Sequence, residues 1–132
     1  MPELNWNELE VMECLAVLPE SEDGEVSPTY FLNDGFLALL ITFWQFESVA
    51  EFTLSRMMSE EVVTNFALIV RDGVYYRNEK WGESLRFQDC ILAPDRFYST
   101  DIGNIFDPKL HPQGIDMELF VRPTIRLLFN NE

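Results

Sequence analysis

The sequence predicts an α+β fold: one small globular domain over residues 1–132, with an antiparallel sheet of about five strands and one or two helices packed on it. Three observations lead there. A chain of 132 residues that is 47% hydrophobic suits one domain around one core. Short apolar stretches rich in β-branched and aromatic side chains are punctuated by Asp-Gly pairs, the signal of hairpins. Strands and helices do not alternate in the manner of a doubly wound parallel sheet.

Residues 5–18 read as the first helix. Asn5 or Asn7 can cap it, Glu8 and Glu10 suit its positive end, and Pro19 stops it. Leu9, Met12 and Ala16 share one face, with Val11, Leu15 and Leu18 beside them. A strand competes here, because Leu9 and Val11, then Leu15 and Val17, also alternate. Residues 19–28 form an acidic loop, since two prolines and a glycine within ten residues oppose regular structure.

Thr29–Leu32, the Asn33-Asp34-Gly35 turn and Phe36–Trp44 form a hairpin. A buried helix from Phe36 competes, because Phe36, Leu39, Leu40 and Phe43 also match helical spacing. Ser48-Val-Ala-Glu51 has the form of a capping box and predicts a helix over about 49–60. A second hairpin is expected from Val62–Arg71, a turn at Asp72-Gly73, and a return over Val74–Arg77. In its first arm Phe66, Leu68 and Val70 point one way and Ala67 and Ile69 the other, which suits a central strand covered on both faces. Ser84–Ala93 is a further strand.

Residues 94–114 carry three prolines and two glycines and read as a long irregular loop. The alternation of Met117, Leu119 and Val121, and of Ile125, Leu127 and Phe129, predicts a final strand or strand pair kinked at Pro123.

The charge is uneven. Against 9 basic residues stand 23 acidic ones, for a net charge of −14. Residues 1–55 hold eleven acids and no Lys or Arg, so they carry −11 of the −14; the first cation is Arg56. This balance argues against direct nucleic-acid binding, which needs cations to neutralise phosphates, and against an anionic membrane surface. The apolar content is too high for a disordered acidic tail. The longest apolar run, Phe36–Trp44, is too short to span a bilayer, and the acidic N-terminus lacks the basic region of a signal peptide. Cys14 and Cys90 sit in apolar runs without metal-ligand or CxxC spacing and read as buried free thiols. A cytoplasmic protein is expected.

No phosphate-binding glycine motif and no G-x-S-x-G elbow is present. His111 is the only histidine, so no cofactor or metal is expected and the protein is not read as an enzyme. Asp101, Asn104 and Asp107 could form a weak cation site, but Asx-turn chemistry explains their spacing. Arg71, Arg77 and Arg86 lie on the meander, with Glu79 and Glu83 as cross-strand partners.

The residues therefore predict a non-catalytic acidic interaction module, such as an adaptor, an assembly chaperone or a stoichiometric inhibitor of the immunity type. Its partner would be a protein with a basic or apolar segment. The expected binding residues are Glu20, Glu22, Asp23 and Glu25 in the acidic loop and Phe97, Tyr98, Ile105 and Phe106 in the long loop, where aromatics can anchor an interface. The protein would act as a monomer or a homodimer, since a free sheet edge can pair. Two other readings are a nucleic-acid mimic and a small ligand-binding domain or enzyme built on Asp101, Asp107 and His111.

Overall fold

The computed structural model describes residues 3–20, 27–59, 61–80, 82–95 and 114–131. These residues form one helix, α1 (Glu8–Leu15), and seven strands: β1 (Thr29–Asn33), β2 (Leu37–Trp44), β3 (Val49–Arg56), β4 (Val62–Glu79), β5 (Gly82–Ala93), β6 (Ile115–Phe120) and β7 (Arg126–Asn131). The strands form one antiparallel sheet in sequence order, each pairing with its chain neighbours. The α+β expectation of five strands with packed helices is thereby corrected. Among the described residues the fold is one large meander with a single short helix.

Two local misreadings account for most of the difference. Ser48-Val-Ala-Glu51 opens a strand, not a helix. Ser48 takes a left-handed conformation, φ 55°, in the turn between β2 and β3. Its hydroxyl donates to the Val70 carbonyl at 2.5 Å, and its own carbonyl accepts from the Val70 amide at 2.8 Å. Glu51 accepts from the Trp44 indole at 2.6 Å across the β2–β3 pair instead of reaching back to a cap amide. Tertiary partners thus claim both groups that the capping box would use.

Asp72-Gly73 is not a turn either. β4 runs through it, and the register against β5 shifts between Val70 and Gly73. The pair forms a bulge in an 18-residue strand. Val74–Arg77 continue the same strand, and the chain reverses only before Gly82, at φ +129°.

Other expectations match. Asp34-Gly35 turns the chain, and residues 37–44 are strand. The alternation after residue 114 resolves into β6 and β7, with Pro123 in the connection.

Alternation also sorts the sheet into two faces. Tyr30, Leu39, Ile41, Phe43, Phe52, Leu68, Leu85, Phe87, Met117 and Leu119 are buried together on one face, with Leu4, Val11, Cys14 and Leu15 above them. Aromatic rings tie this core together: Phe43 stacks with Phe87 at 6.2 Å, and Phe52 meets Phe87 edge-on at 5.4 Å. The sheet curls toward this face. Phe66 of β4 and Phe129 of β7 have ring centroids 5.9 Å apart, although three strand spacings of about 4.8 Å separate their strands. Asp34, in the first turn, accepts from the Ile125 amide at 2.8 Å and joins the two ends of the meander. On the opposite face Val49, Ala67, Ile69 and Ala93 form a smaller buried cluster with Trp44 and Ile91 against it. β4 is therefore the central strand, buried on both faces in its middle.

Candidate partner-binding surface

The N-terminal segment lies over the main core, and each step of its path has an anchor. The Leu4 amide donates to the Gln45 carbonyl at 2.7 Å. The Val74 amide donates to the Asn5 carbonyl at 2.9 Å. Gly73 makes that approach feasible, because a Cβ there would stand 2.8 Å from the Asn5 carbonyl oxygen. Trp6 stacks on Phe43 at 4.6 Å. The Asn7 side chain then accepts from the Glu10 amide at 3.2 Å and starts α1. The helix ends at Ala16, φ 59°, whose amide donates to the Met12 carbonyl. It is much shorter than the 5–18 expected, because Ala16 leaves the helix before Pro19 is reached.

The far end of α1 is pinned by Arg122, which donates to the Cys14 carbonyl and to Glu83, both at 2.6 Å. Tyr76 donates to the same carboxylate at 2.6 Å. Those two hydrogen bonds hold the Glu83 pKa below its ordinary value, while the bond to Glu83 pushes the Tyr76 phenol up to about 12.

The helix has two apolar stripes. Val11, Cys14 and Leu15 face the core. Leu9 and Ala16 face outward, with Leu9 68% exposed; Met12 is half-buried at the edge of this stripe and also packs against the core, and Leu18 beyond the helix is 80% exposed. The sequence groups Leu9, Met12 and Ala16 on one face; Leu9 and Ala16 lie on the solvent side, and Met12 is shared with the core. These residues, with Glu13 and Val17, line a shallow groove of about 290 Å³. Glu13 in its lining is exposed, as are Glu10 on the same helix and Glu3 before it, while Glu8 at the start of the helix is half-buried.

Little opposes that acid. Arg71, Arg77, Arg86 and Arg122 pair with Asp89, Glu79, Asp116 and Glu83 at 2.6, 3.0, 3.1 and 2.6 Å. Arg77 thus meets Glu79 two residues along its own strand, and Glu83 goes to Arg122, so the expected cross-strand pairs of the meander are replaced. Arg126 lies over the Phe120 ring at 4.5 Å. Among the described residues no ion pair joins Glu3, Glu8, Glu10, Glu13 or Glu20 to a cation.

Of the binding residues expected from sequence, Glu20 is described: its backbone bridges to Thr29 beside β1, and its side chain is exposed. Glu22, Asp23, Glu25, Phe97, Tyr98, Ile105 and Phe106 lie outside the described residues. So do Asp101, Asp107 and His111, the residues of the ligand-binding or enzyme reading. Among the described residues no group of three or more His, Cys, Asp or Glu could hold a metal ion, and no helix is long and apolar enough to cross a membrane. A second concavity, of about 230 Å³, opens on the opposite face between Leu40, Thr42, Glu51, Thr53, Asn65 and Asp95. Cys14 and Cys90 are free and buried. Desolvation raises both thiols, Cys14 to about 11.

The exposed Leu9 and Leu18, with the half-buried Met12 between them, carry no binding signal of the kind read in the acidic and aromatic loops. Their signal was an excess: an eight-residue helix needs one apolar stripe to pack, and this one carries two.

No protein-family model and no curated protein matches the sequence. Among solved structures, a chain of a contact-dependent growth inhibition toxin–immunity protein complex from Klebsiella pneumoniae 342 superposes with a TM-score of 0.66. The two share 18% identity, over 98% of this chain and 97% of that one. At that identity the likeness establishes a shared fold.

Proposed function

We propose that this chain is a non-catalytic, stoichiometric binder of a protein partner, of the immunity type, and that its partner presents a basic and apolar surface. The observation that carries this reading is the charge layout around α1. Among the described residues Glu8, Glu10 and Glu13 form no ion pair and stand on the helix that carries the exposed Leu9, while Arg71, Arg77, Arg86 and Arg122 of the other half pair with acids of that half. Long-range attraction would speed the encounter with a cationic partner, and desolvation of the apolar side chains would slow dissociation. The fold shared with a chain of a toxin–immunity complex supports the same reading.

A nucleic-acid mimic is less well supported. DNA presents about one charge per 1.7 Å of axis. On α1 the acids Glu8, Glu10 and Glu13 are interrupted by Leu9 and Met12.

The test is capture of the tagged protein's partner from its native host, followed by reconstitution of the purified pair. The expected partner is a protein with a toxic or enzymatic activity that is abolished at one equivalent of this chain. A partner retaining full activity in the saturated complex would overturn the inhibitor reading.

A further inference from the structure

We propose that the outer stripe of α1 is the docking seam for an amphipathic helix of the partner, with lysine or arginine flanking its apolar stripe. The proposal rests on the protein-binding reading above and adds the occupant and its geometry.

Leu9, Met12 and Ala16 are spaced as consecutive a, d and a positions of a heptad. In that register Glu8 occupies the g position before Leu9, and Glu13 occupies the e position after Met12. At about 100° per residue these two carboxylates border the stripe on its two sides. Apolar a and d residues pack against a facing helix, while e and g charges select the partner by sign. Here both flanks are acidic, so a partner helix with cations at its own e and g positions is complementary. Val17 and Leu18 extend the apolar floor just past the helix.

The same charges disfavour a second copy of this chain. A two-fold interface places one patch against itself, so Glu8, Glu10 and Glu13 would face identical acids on a chain already at −14. Packing of the fold does not require Leu9, because Val11, Cys14 and Leu15 fill the core side and Met12 adds to it from the edge of the stripe. Leu9 and Leu18 stand in water when no partner is bound. Exposed apolar groups bordered by charge are the usual form of an interaction site.

The test uses a synthetic peptide of about three heptads, with leucine at a and d and lysine at e and g. Its lysines keep it from pairing with itself. A control peptide carries glutamate at e and g. Each is titrated into the full-length, isotopically labelled protein, and amide shifts are mapped. The expected result is binding of the lysine peptide with shifts concentrated in residues 8–18. Leu9→Ser and Glu13→Lys should each weaken it at least tenfold without altering the melting temperature, since both side chains are exposed. The control peptide should not bind. Shifts centred on the β7 edge or elsewhere on the sheet, absence of binding, or equal affinity for the two peptides would overturn the proposal. The inhibitor reading fails separately, through a captured partner that remains active in the complex.

Discussion

Asp34 offers the sharpest test of how the meander is closed. One carboxylate oxygen accepts from the Phe36 and Leu37 amides at 2.9 and 2.8 Å, and the other accepts from the Ile125 amide at 2.8 Å. The first two bonds set the β1–β2 turn, and the third ties it to a residue 91 positions away. A hydrogen bond to a charged group contributes about 1.5–3 kcal/mol when sheltered. The carboxyl is only half-buried, so the three together are worth about 2–3 kcal/mol rather than their sum. Asp34→Ala should lose about that much in urea unfolding at pH 7. Asp34→Asn keeps one oxygen and should lose about half. Desolvation pushes this pKa up, but the amides of Leu37, Ile125 and Phe36 outweigh it, and the net shift is below the ordinary 3.8. The ionised form is therefore favoured by folding. Its contribution is complete above the unfolded value, about 4, and fades as pH falls through the folded value. The stability gap between the wild type and Asp34→Asn should accordingly narrow below about pH 4. A gap under about 0.5 kcal/mol at pH 7, or one that does not change with pH, would refute this account.

Three further outcomes follow from the structure. Phe87→Ala removes the ring that contacts both Phe43 and Phe52 and should cost about 3–5 kcal/mol in chemical denaturation. Gly73→Ala should cost about 1–3 kcal/mol and raise hydrogen exchange at residues 4–6, since its Cβ would press on the Asn5 backbone. Burial keeps both thiols protonated well above neutral pH, so at pH 8 a thiol reagent should label Cys14 and Cys90 only as fast as the protein opens, and urea should accelerate labelling sharply.

What the sequence revealed of the fold follows the range of the forces involved. Period-two alternation marked β6 and β7, because each buries one set of side chains in the core, and β2 was marked by the Asp34-Gly35 turn before it and its β-branched and aromatic content. The two failures were places where a local rule was overruled by a distant partner. Ser48 obeys Val70 on β4, and Glu51 obeys Trp44, and neither pairing is visible along the chain. Asp72-Gly73 looks like a hairpin turn, but the Asn5 backbone occupies the space beside Gly73 and Val70 stays in register with Cys90, so the strand bulges and continues. The candidate surface was half legible. The charge asymmetry is a property of composition and could be counted directly. Which stripe of α1 faces water could not, because Leu9 and Val11 are equally apolar and only the tertiary path of residues 4–7 decides between them.

The central claim is that a cationic protein partner binds through the acidic, leucine-bearing surface of the N-terminal segment. Hydrogen exchange of this chain, free and in complex with its captured partner, tests that most directly. The account predicts partner-dependent protection concentrated in residues 3–20, weakening as salt screens the acids. Protection confined to the C-terminal strands, with residues 3–20 exchanging as in the free protein, would contradict it.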